Sequence, residues 1–125
     1  MYRRFHRACN CDDTVIPRLI YALPIEHSWA HSKGVTLLGD AAHVMSPYAG
    51  EGANLAMLDA TELALVIVEH DDDIDTALTQ YETAMFLRSK AAAKKSAQGL
   101  EMCFAVDAPK GLVQFFESMG IPREH

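Results

Sequence analysis

A short apolar run between two glycines leads into a glycine-bearing loop: Gly34-Val-Thr-Leu-Leu-Gly-Asp40-Ala-Ala-His43 is followed, after Val-Met-Ser, by Pro47-Tyr-Ala-Gly50-Glu-Gly52-Ala-Asn54. Residues 35–38 show the pattern of a strand buried on both faces, as in a parallel or mixed sheet. Residues 41–51 carry Ser46, Pro47 and Gly50 and are predicted to form a loop rather than a regular element. A helix should begin directly after this loop, so the stretch predicts a strand, a loop and a helix.

The flanking segments extend this pattern in both directions. Residues 16–23 are rich in β-branched and aromatic side chains and stop at Pro24, which predicts a strand. Residues 53–69 are almost entirely apolar and predict a core helix covered on most sides, with a narrow solvated stripe that includes Asp59. Asp73 is expected to cap a second, amphipathic helix that continues toward Phe104.

Gly99 is expected to lower the stability of that second helix, because glycine is a poor helix former. A last short helix is predicted over residues 112–119. The predicted fold is therefore α/β and mostly helical, a single partial domain over residues 1–125. A short strand pair leads into a buried helix, and a long C-terminal amphipathic helix follows.

Composition narrows the range of functions. The chain has 125 residues, half of them hydrophobic, which is enough for one core. The chain has 11 Lys and Arg residues and 17 Asp and Glu residues, so no basic surface for nucleic acid is expected. The longest apolar run, residues 63–68, is far shorter than the ~20 residues that cross a bilayer. Three cysteines without a secretion signal indicate reduced thiols and a soluble, cytoplasmic protein.

The loop has the chemistry of a site for a polyhydroxylated, anionic cofactor. Gly39 permits a sharp turn, after which the carboxylate of Asp40 offers acceptors for sugar or ribityl hydroxyls. Gly50 and Gly52 allow the backbone to approach a flat ring closely. Pro47 can wall that ring without contributing a backbone N–H.

The start of the following helix adds positive potential. The N–H groups near Ala53 and Asn54 have no intrahelical acceptor and lie at the positive end of the helix dipole. Such donors favour negative charge on the pyrimidine edge of a flavin, where charge builds on reduction.

These motifs resemble the para-hydroxybenzoate-hydroxylase-like flavoprotein monooxygenases, especially the branch with the tetracycline-inactivating enzymes. The resemblance covers almost the whole chain. It is carried by Gly39-Asp-Ala-Ala-His43, Pro47-Tyr-Ala-Gly-Glu-Gly-Ala-Asn54, Asp59-Ala-Thr-Glu-Leu, Ile20-Tyr-Ala-Leu-Pro24 with Trp29, Cys103-Phe104 and Asp107-Ala-Pro-Lys-Gly-Leu-Val-Gln-Phe-Phe116.

The resemblance implies FAD as cofactor, NADPH or NADH as reductant, and an aromatic or polyketide-like substrate. It also implies that Asp40 binds the ribityl chain, that Pro47 lies beside the isoalloxazine, and that residues 50–54 meet its pyrimidine side. Glu51 stands where many members carry Gln. The fold implied is the last third of a Rossmann-like FAD-binding monooxygenase.

The family's Gly-x-Gly-x-x-Gly loop, which holds the FAD pyrophosphate, is absent from these residues. Two alternatives follow. The chain works as the FAD-binding part of a monooxygenase, completed by a homo-oligomer, a partner chain or an upstream region. Alternatively it is a truncated member without redox function, acting as a small ligand-binding module, cofactor-free enzyme or interaction module.

Other side chains have weaker functional indications. His43 follows the motif but is assigned no catalytic role, since a loop histidine more often satisfies hydrogen bonds. A zinc site is disfavoured because the spacing of the candidate ligands matches no standard structural site; the candidates are His6, Cys9, Cys11 and His27. Aromatic and methionine side chains at helical spacing favour a core over a ligand cavity; these are Tyr81, Met85, Phe86, Met102, Phe104, Phe115 and Phe116.

Overall fold

The computed structural model describes residues 18–120, and this part of the chain is mostly helical. Two short helical segments precede three longer helices. They are α1 (Asp40–His43), a 3-10 helix (Pro47–Ala49), α2 (Gly52–Glu69), α3 (Ile74–Phe104) and α4 (Ala108–Ser118). None of these helices is long and apolar enough to pass through a lipid bilayer.

The predicted strand pair is wrong for the residues that the structure describes. Residues 35–38 form no ladder, and the single nearby pairing is an isolated antiparallel bridge between Ser32 and Val35. Residues 18–23 are also irregular, while Ile16 and Pro17 lie outside the described part. A strand needs a hydrogen-bonded neighbour, and no second strand lies beside residues 35–38 within residues 18–120.

The predicted loop over residues 41–51 is more ordered than expected. It contains most of α1 and the whole 3-10 helix. Ser46 ties this region to α3, because its hydroxyl lies 2.7 Å from that of Ser96 and both side chains are buried. This contact therefore attaches the loop to the long helix α3.

The α2 helix has the predicted limits but the opposite burial. Met57, Leu65 and Val68 are 63%, 63% and 77% exposed, so its outer apolar face has no cover among residues 18–120. Asp59, placed by the sequence pattern on the solvated stripe, is completely buried. An almost uniformly apolar helix gives a weak directional signal, and here the hydrogen-bonding partners of Asp59 decide which face is inside.

The α3 helix confirms the cap predicted at Asp73. The backbone N–H of Thr76 donates to Asp73 Oδ1 over 3.1 Å, and the helix runs through Gly99 to Phe104. The last helix starts at Ala108, four residues earlier than predicted, because a proline is accepted in the first helical turn.

The core lies between α1, α2 and α3. Its buried centre is Ala42, Tyr81 and Met85, with Trp29, Leu63, Val66 and Phe86 packed around it. The predicted core roles of Tyr81, Met85 and Phe86 are confirmed. The Tyr81 hydroxyl donates to the Leu37 carbonyl over 3.2 Å, and burial raises the pKa of this phenol.

Glu82 fastens residues 29–36 to α3. Its buried carboxylate accepts from Trp29 Nε1 at 3.0 Å and from Thr36 Oγ1 at 2.8 Å, and it lies 2.9 Å from His31 Nδ1. Burial by itself raises the pKa of Glu82. The hydrogen bonds from His31, Trp29 and Thr36 outweigh burial and hold this pKa below its ordinary value.

A first prediction concerns Gly99, which allows α3 to approach the 3-10 helix. A Cβ at Gly99 would lie 3.0 Å from Tyr48 Cβ, whereas a Cβ at Gly111 of α4 meets nothing within 4 Å. We expect Gly99→Ala to destabilise the fold by about 1–3 kcal/mol through overpacking. The control Gly111→Ala should stabilise it by up to about 1 kcal/mol through helix propensity. Urea unfolding measures both, and equal stabilisation by the two variants would contradict the close packing.

A second prediction concerns acid stability. Since the pKa of Glu82 is lower in the folded than in the unfolded state, its contribution is complete above the unfolded pKa and is lost as pH falls through the folded pKa. We expect Glu82→Gln to cost about 1–3 kcal/mol at pH 7, and less as the pH falls below about 4.

Urea midpoints between pH 7 and pH 3 test this expectation. Glu101→Gln makes the same substitution at an exposed position of α3 and serves as the control. A deficit of Glu82→Gln that stays constant over the whole pH range would show that the charge of Glu82 does not stabilise the fold.

Candidate functional site

Six of the seven predicted cofactor-binding residues line one open groove of about 620 Å³. The lining residues are Leu38, Gly39, Asp40, Met45, Ser46, Pro47, Gly50, Gly52, Ala53 and Ala56. Asn54 is exposed in the first turn of α2 and does not line the groove. The structure thus brings together both ends of the motif, from the turn at Gly39 to the start of α2.

Two of the groove glycines adopt backbone conformations that other residues rarely take. Gly39 has a φ of 59°, and Gly50 has a φ of 66°. Gly39 is also packed tightly, since a Cβ there would lie 3.2 Å from Ala56 Cβ. The backbone of Gly50 and Gly52 is open, because a Cβ on either would meet nothing within 4 Å. These glycines therefore leave the backbone accessible from the groove.

The donors and acceptors around the groove suit a flat, polyhydroxylated cofactor with an electron-rich edge. Asp40 is exposed at the start of α1 and supplies carboxylate acceptors. No side chain among residues 18–120 caps α2, so the first-turn N–H groups that include Gly52 and Ala53 are open to a ligand within this part of the chain. Glu51, at the N-cap position, instead pairs with Lys95 at 3.2 Å.

Behind the groove lies a buried carboxylate that sequence reasoning missed. Asp59 Oδ2 accepts the backbone N–H of Gly39 at 2.9 Å and lies 2.6 Å from His43 Nε2. Asp59 Oδ1 accepts from Arg88 Nη2 at 2.9 Å. Asp59 lies on the same helical face as the buried Leu55, but an almost uniformly apolar helix does not single out that face from the sequence.

Opposing effects set the ionisation of this network. Burial raises the pKa of Asp59, but hydrogen bonds from Arg88, Gly39 and His43 outweigh it and hold the pKa below the ordinary value of 3.8. Burial likewise lowers the pKa of Arg88, and its bonds to Asp59 and Glu62 reverse that effect. Arg88 Nη1 donates to Glu62 over 2.6 Å. A charged Asp59–Arg88 pair therefore joins α2 to α3.

His43 has a structural partner and no contact that indicates catalysis. It is buried at the end of α1, with Nε2 on Asp59 and with Nδ1 lacking a hydrogen-bond partner in the described part of the chain. Its ring borders a cavity of about 10 Å³ that Ser89 and His27 also line. That volume is about the size of one water molecule.

A second cleft of about 440 Å³ borders the same loop. Its lining is mostly apolar and comes from the 3-10 helix, the end of α3 and α4. The residues are Tyr48, Ala49, Glu51, Lys95, Gln98, Gly99, Met102, Cys103, Leu112, Phe115 and Phe116. Met102, Phe115 and Phe116, predicted as core, thus line a cleft. Phe104 is 70% exposed, although its ring packs against Tyr48 with centroids 5.8 Å apart.

Of the four zinc candidates, His27 alone lies in the part of the chain that the structure covers. No group of three or more metal-ligating side chains forms within residues 18–120, which include His27. His6, Cys9 and Cys11 lie outside the described residues.

Comparison with known proteins agrees with this geometry. The model of the FAD binding domain family matches residues 27–96, more than half of the chain. The chain is 34% identical over 114 residues to monooxygenase asqM of Emericella nidulans, an alignment of 78% of this chain and 26% of the relative. A dual O-methyltransferase/FAD-dependent monooxygenase of Cercospora beticola is 40% identical over 88 residues, 70% of this chain and 10% of that protein.

Monooxygenase penA of Penicillium thymicola is 29% identical over 118 residues, 86% of this chain and 27% of the relative. The chain therefore spans about a quarter of the length of asqM and penA. The matched family segment contains Gly39, Asp40, the glycine-rich loop and the buried Asp59. The chain belongs to the FAD binding domain family, and it aligns with parts of proteins that are named monooxygenases.

Proposed function

We propose that this chain supplies the flavin-contacting part of a monooxygenase that hydroxylates an aromatic or polyketide-like small molecule. One observation carries the proposal: a single groove collects Gly39, Asp40, Pro47 and the start of α2. Because the chain spans only about a quarter of asqM and penA, the activity is proposed for the whole protein. We further propose that this segment corresponds to the last third of a Rossmann-like FAD-binding fold.

The predicted site residues would hold FAD in different ways. Asp40 would accept hydrogen bonds from ribityl hydroxyls, and Pro47 would wall the ring without adding an N–H. Gly50 and Gly52 would let the backbone come close to the ring. The first-turn N–H groups of α2, near Ala53 and Asn54, would stabilise negative charge on the ring. When bound, FAD supplies oxygen activation and transfer, with NADPH or NADH as the reductant.

The second cleft is the proposed place for part of the organic substrate. It is lined by Phe115, Phe116 and Met102, and it adjoins the loop that walls the groove. Its volume is within the range of pockets that take small organic molecules. An aromatic or polyketide-like ligand would bury its apolar face there and meet polar groups at Lys95 and Gln98.

A third prediction tests the groove directly. FAD added to the chain should bind, and Asp40→Ala should weaken binding by about tenfold, the effect of losing hydrogen bonds to a charged group. The exposed Asp72, in the connection between α2 and α3, offers the matched control Asp72→Ala, which should leave affinity unchanged.

Flavin fluorescence titration is the measurement. A titration of the unsubstituted chain without any fluorescence change would count against flavin binding by this chain alone. It would favour the alternative of a small binding module. An equal loss of affinity in both variants would count against a specific role of Asp40 in the groove.

The uncovered face of α2 supports a further proposal, that the chain associates with another copy of itself or with a chain that supplies the remaining FAD-binding half. Met57, Leu65 and Val68 form an exposed apolar stripe on this helix. Stripes of this kind commonly mark sites of association.

A fourth prediction follows from that stripe. Light scattering should detect a dimer or larger assembly of the chain, and Leu65→Glu should shift it toward monomer by placing a charge in an apolar contact. Leu87→Glu makes the same change at a position 70% exposed on α3 and should have little effect. A monomer at high protein concentration would rule out self-association.

A further inference from the structure

One carboxylate oxygen holds both ends of α1. Asp59 Oδ2 accepts the N–H of Gly39, the N-cap of α1, and also lies 2.6 Å from Nε2 of His43, the last residue of the helix. A single helical turn of four residues is too short to be stable alone, so α1 depends on its packing through Ala42 and on these two contacts at its ends. Asp40, the first residue of α1, lies between them in sequence and lines the groove.

The two oxygens of Asp59 have separate tasks. Oδ1 binds Arg88 and so connects α2 to α3, whereas Oδ2 binds Gly39 and His43 and so connects α2 to α1. The tight packing of Gly39 against Ala56, one turn before Asp59, directs the same backbone onto α2. The exposed groove residue and the buried carboxylate are thus joined through a turn that has little freedom to rotate.

We infer that Asp59 is a positioning residue, which fixes the direction in which Asp40 presents its carboxylate to the cofactor. The inference rests on the proposed flavin site for its functional meaning. The arrangement of α1 that it describes can be measured without any cofactor. Asp59 itself is buried and does not line the groove.

The substitution Asp59→Asn distinguishes the hydrogen-bonding role of Asp59 from the space that its side chain fills. Asp59→Asn keeps the side-chain shape but leaves one acceptor oxygen for donors on two sides, Arg88 on one and Gly39 with His43 on the other. On the other side, the NH2 group of the new side chain must then face a donor, and no hydrogen bond can form between two donors. Glu62→Gln is the matched control, because Glu62 is the other partner of Arg88 and makes no hydrogen bond or ion pair with α1 in the described part of the chain.

The test combines amide hydrogen exchange of the full chain, read by NMR, with flavin titration. In the unsubstituted chain the Gly39 amide should be protected. Asp59→Asn should speed its exchange by about tenfold, the loss of one hydrogen bond to a charged group, and weaken FAD binding by a similar factor. Amides in the middle of α3 should change less, and Glu62→Gln should change the Gly39 amide little.

His43→Asn provides a second variant if Asp59→Asn does not fold. It keeps the Asp59–Arg88 pair and shortens the side chain that closes α1, so Gly39 exchange should still rise, by less than in Asp59→Asn. An unprotected Gly39 amide in the unsubstituted chain would overturn the inference. So would equal effects of Asp59→Asn and Glu62→Gln, or a His43→Asn variant with unchanged exchange at Gly39.

The flavin result separates the two proposals. If the unsubstituted chain does not bind FAD, the proposed function fails for this chain alone, and the exchange data still decide whether Asp59 positions α1. If FAD binds and Gly39 exchange is unaffected by Asp59→Asn, the flavin site stands and the positioning role is wrong.

Discussion

A carboxylate removed from water must receive hydrogen bonds from the protein on every side, and this requirement organises the fold around Asp59. Its donors come from Arg88 on α3, Gly39 before α1 and His43 at the end of α1. The Asp59 carboxylate therefore forms hydrogen bonds with three separate parts of the chain at once. Glu82 repeats the principle for residues 29–36. Residues 29–36 and Gly39 are thus fastened to the helices by these two carboxylates, and they belong to no sheet within residues 18–120.

The sequence predicts the helices well, because their signals are local. The Asp73 cap, the start of α2 after the glycine loop and the length of α3 depend on residues only a few positions apart. The gathering of six groove residues was also predictable, since a strand-like run, a glycine turn and a helix start carry that geometry in their order. The family resemblance then gave these residues their chemical meaning.

The features that the sequence does not predict depend on residues that lie far apart in the chain. Residues 35–38 have strand-like composition, but a strand exists only beside another strand, and none adjoins them among residues 18–120. Asp59 was placed on the solvent side because a carboxylate is rarely buried alone. Its burial depends on Arg88, which lies 29 positions further along the chain. Asp59 and Arg88 each lie on the face of their helix that carries core residues, and their pairing across two helices is not a local feature of the sequence.

The loop of residues 47–52 borders both the groove and the cleft. Pro47, Gly50 and Gly52 line the groove, while Tyr48, Ala49 and Glu51 line the cleft. Because these residues alternate along one short loop, a substitution that reshapes the cleft from the loop can also move the wall of the groove. The α4 side chains Leu112, Phe115 and Phe116 touch the cleft alone. A change of side chain on α4 can therefore alter the cleft without altering the groove, whereas a change in the loop can alter both.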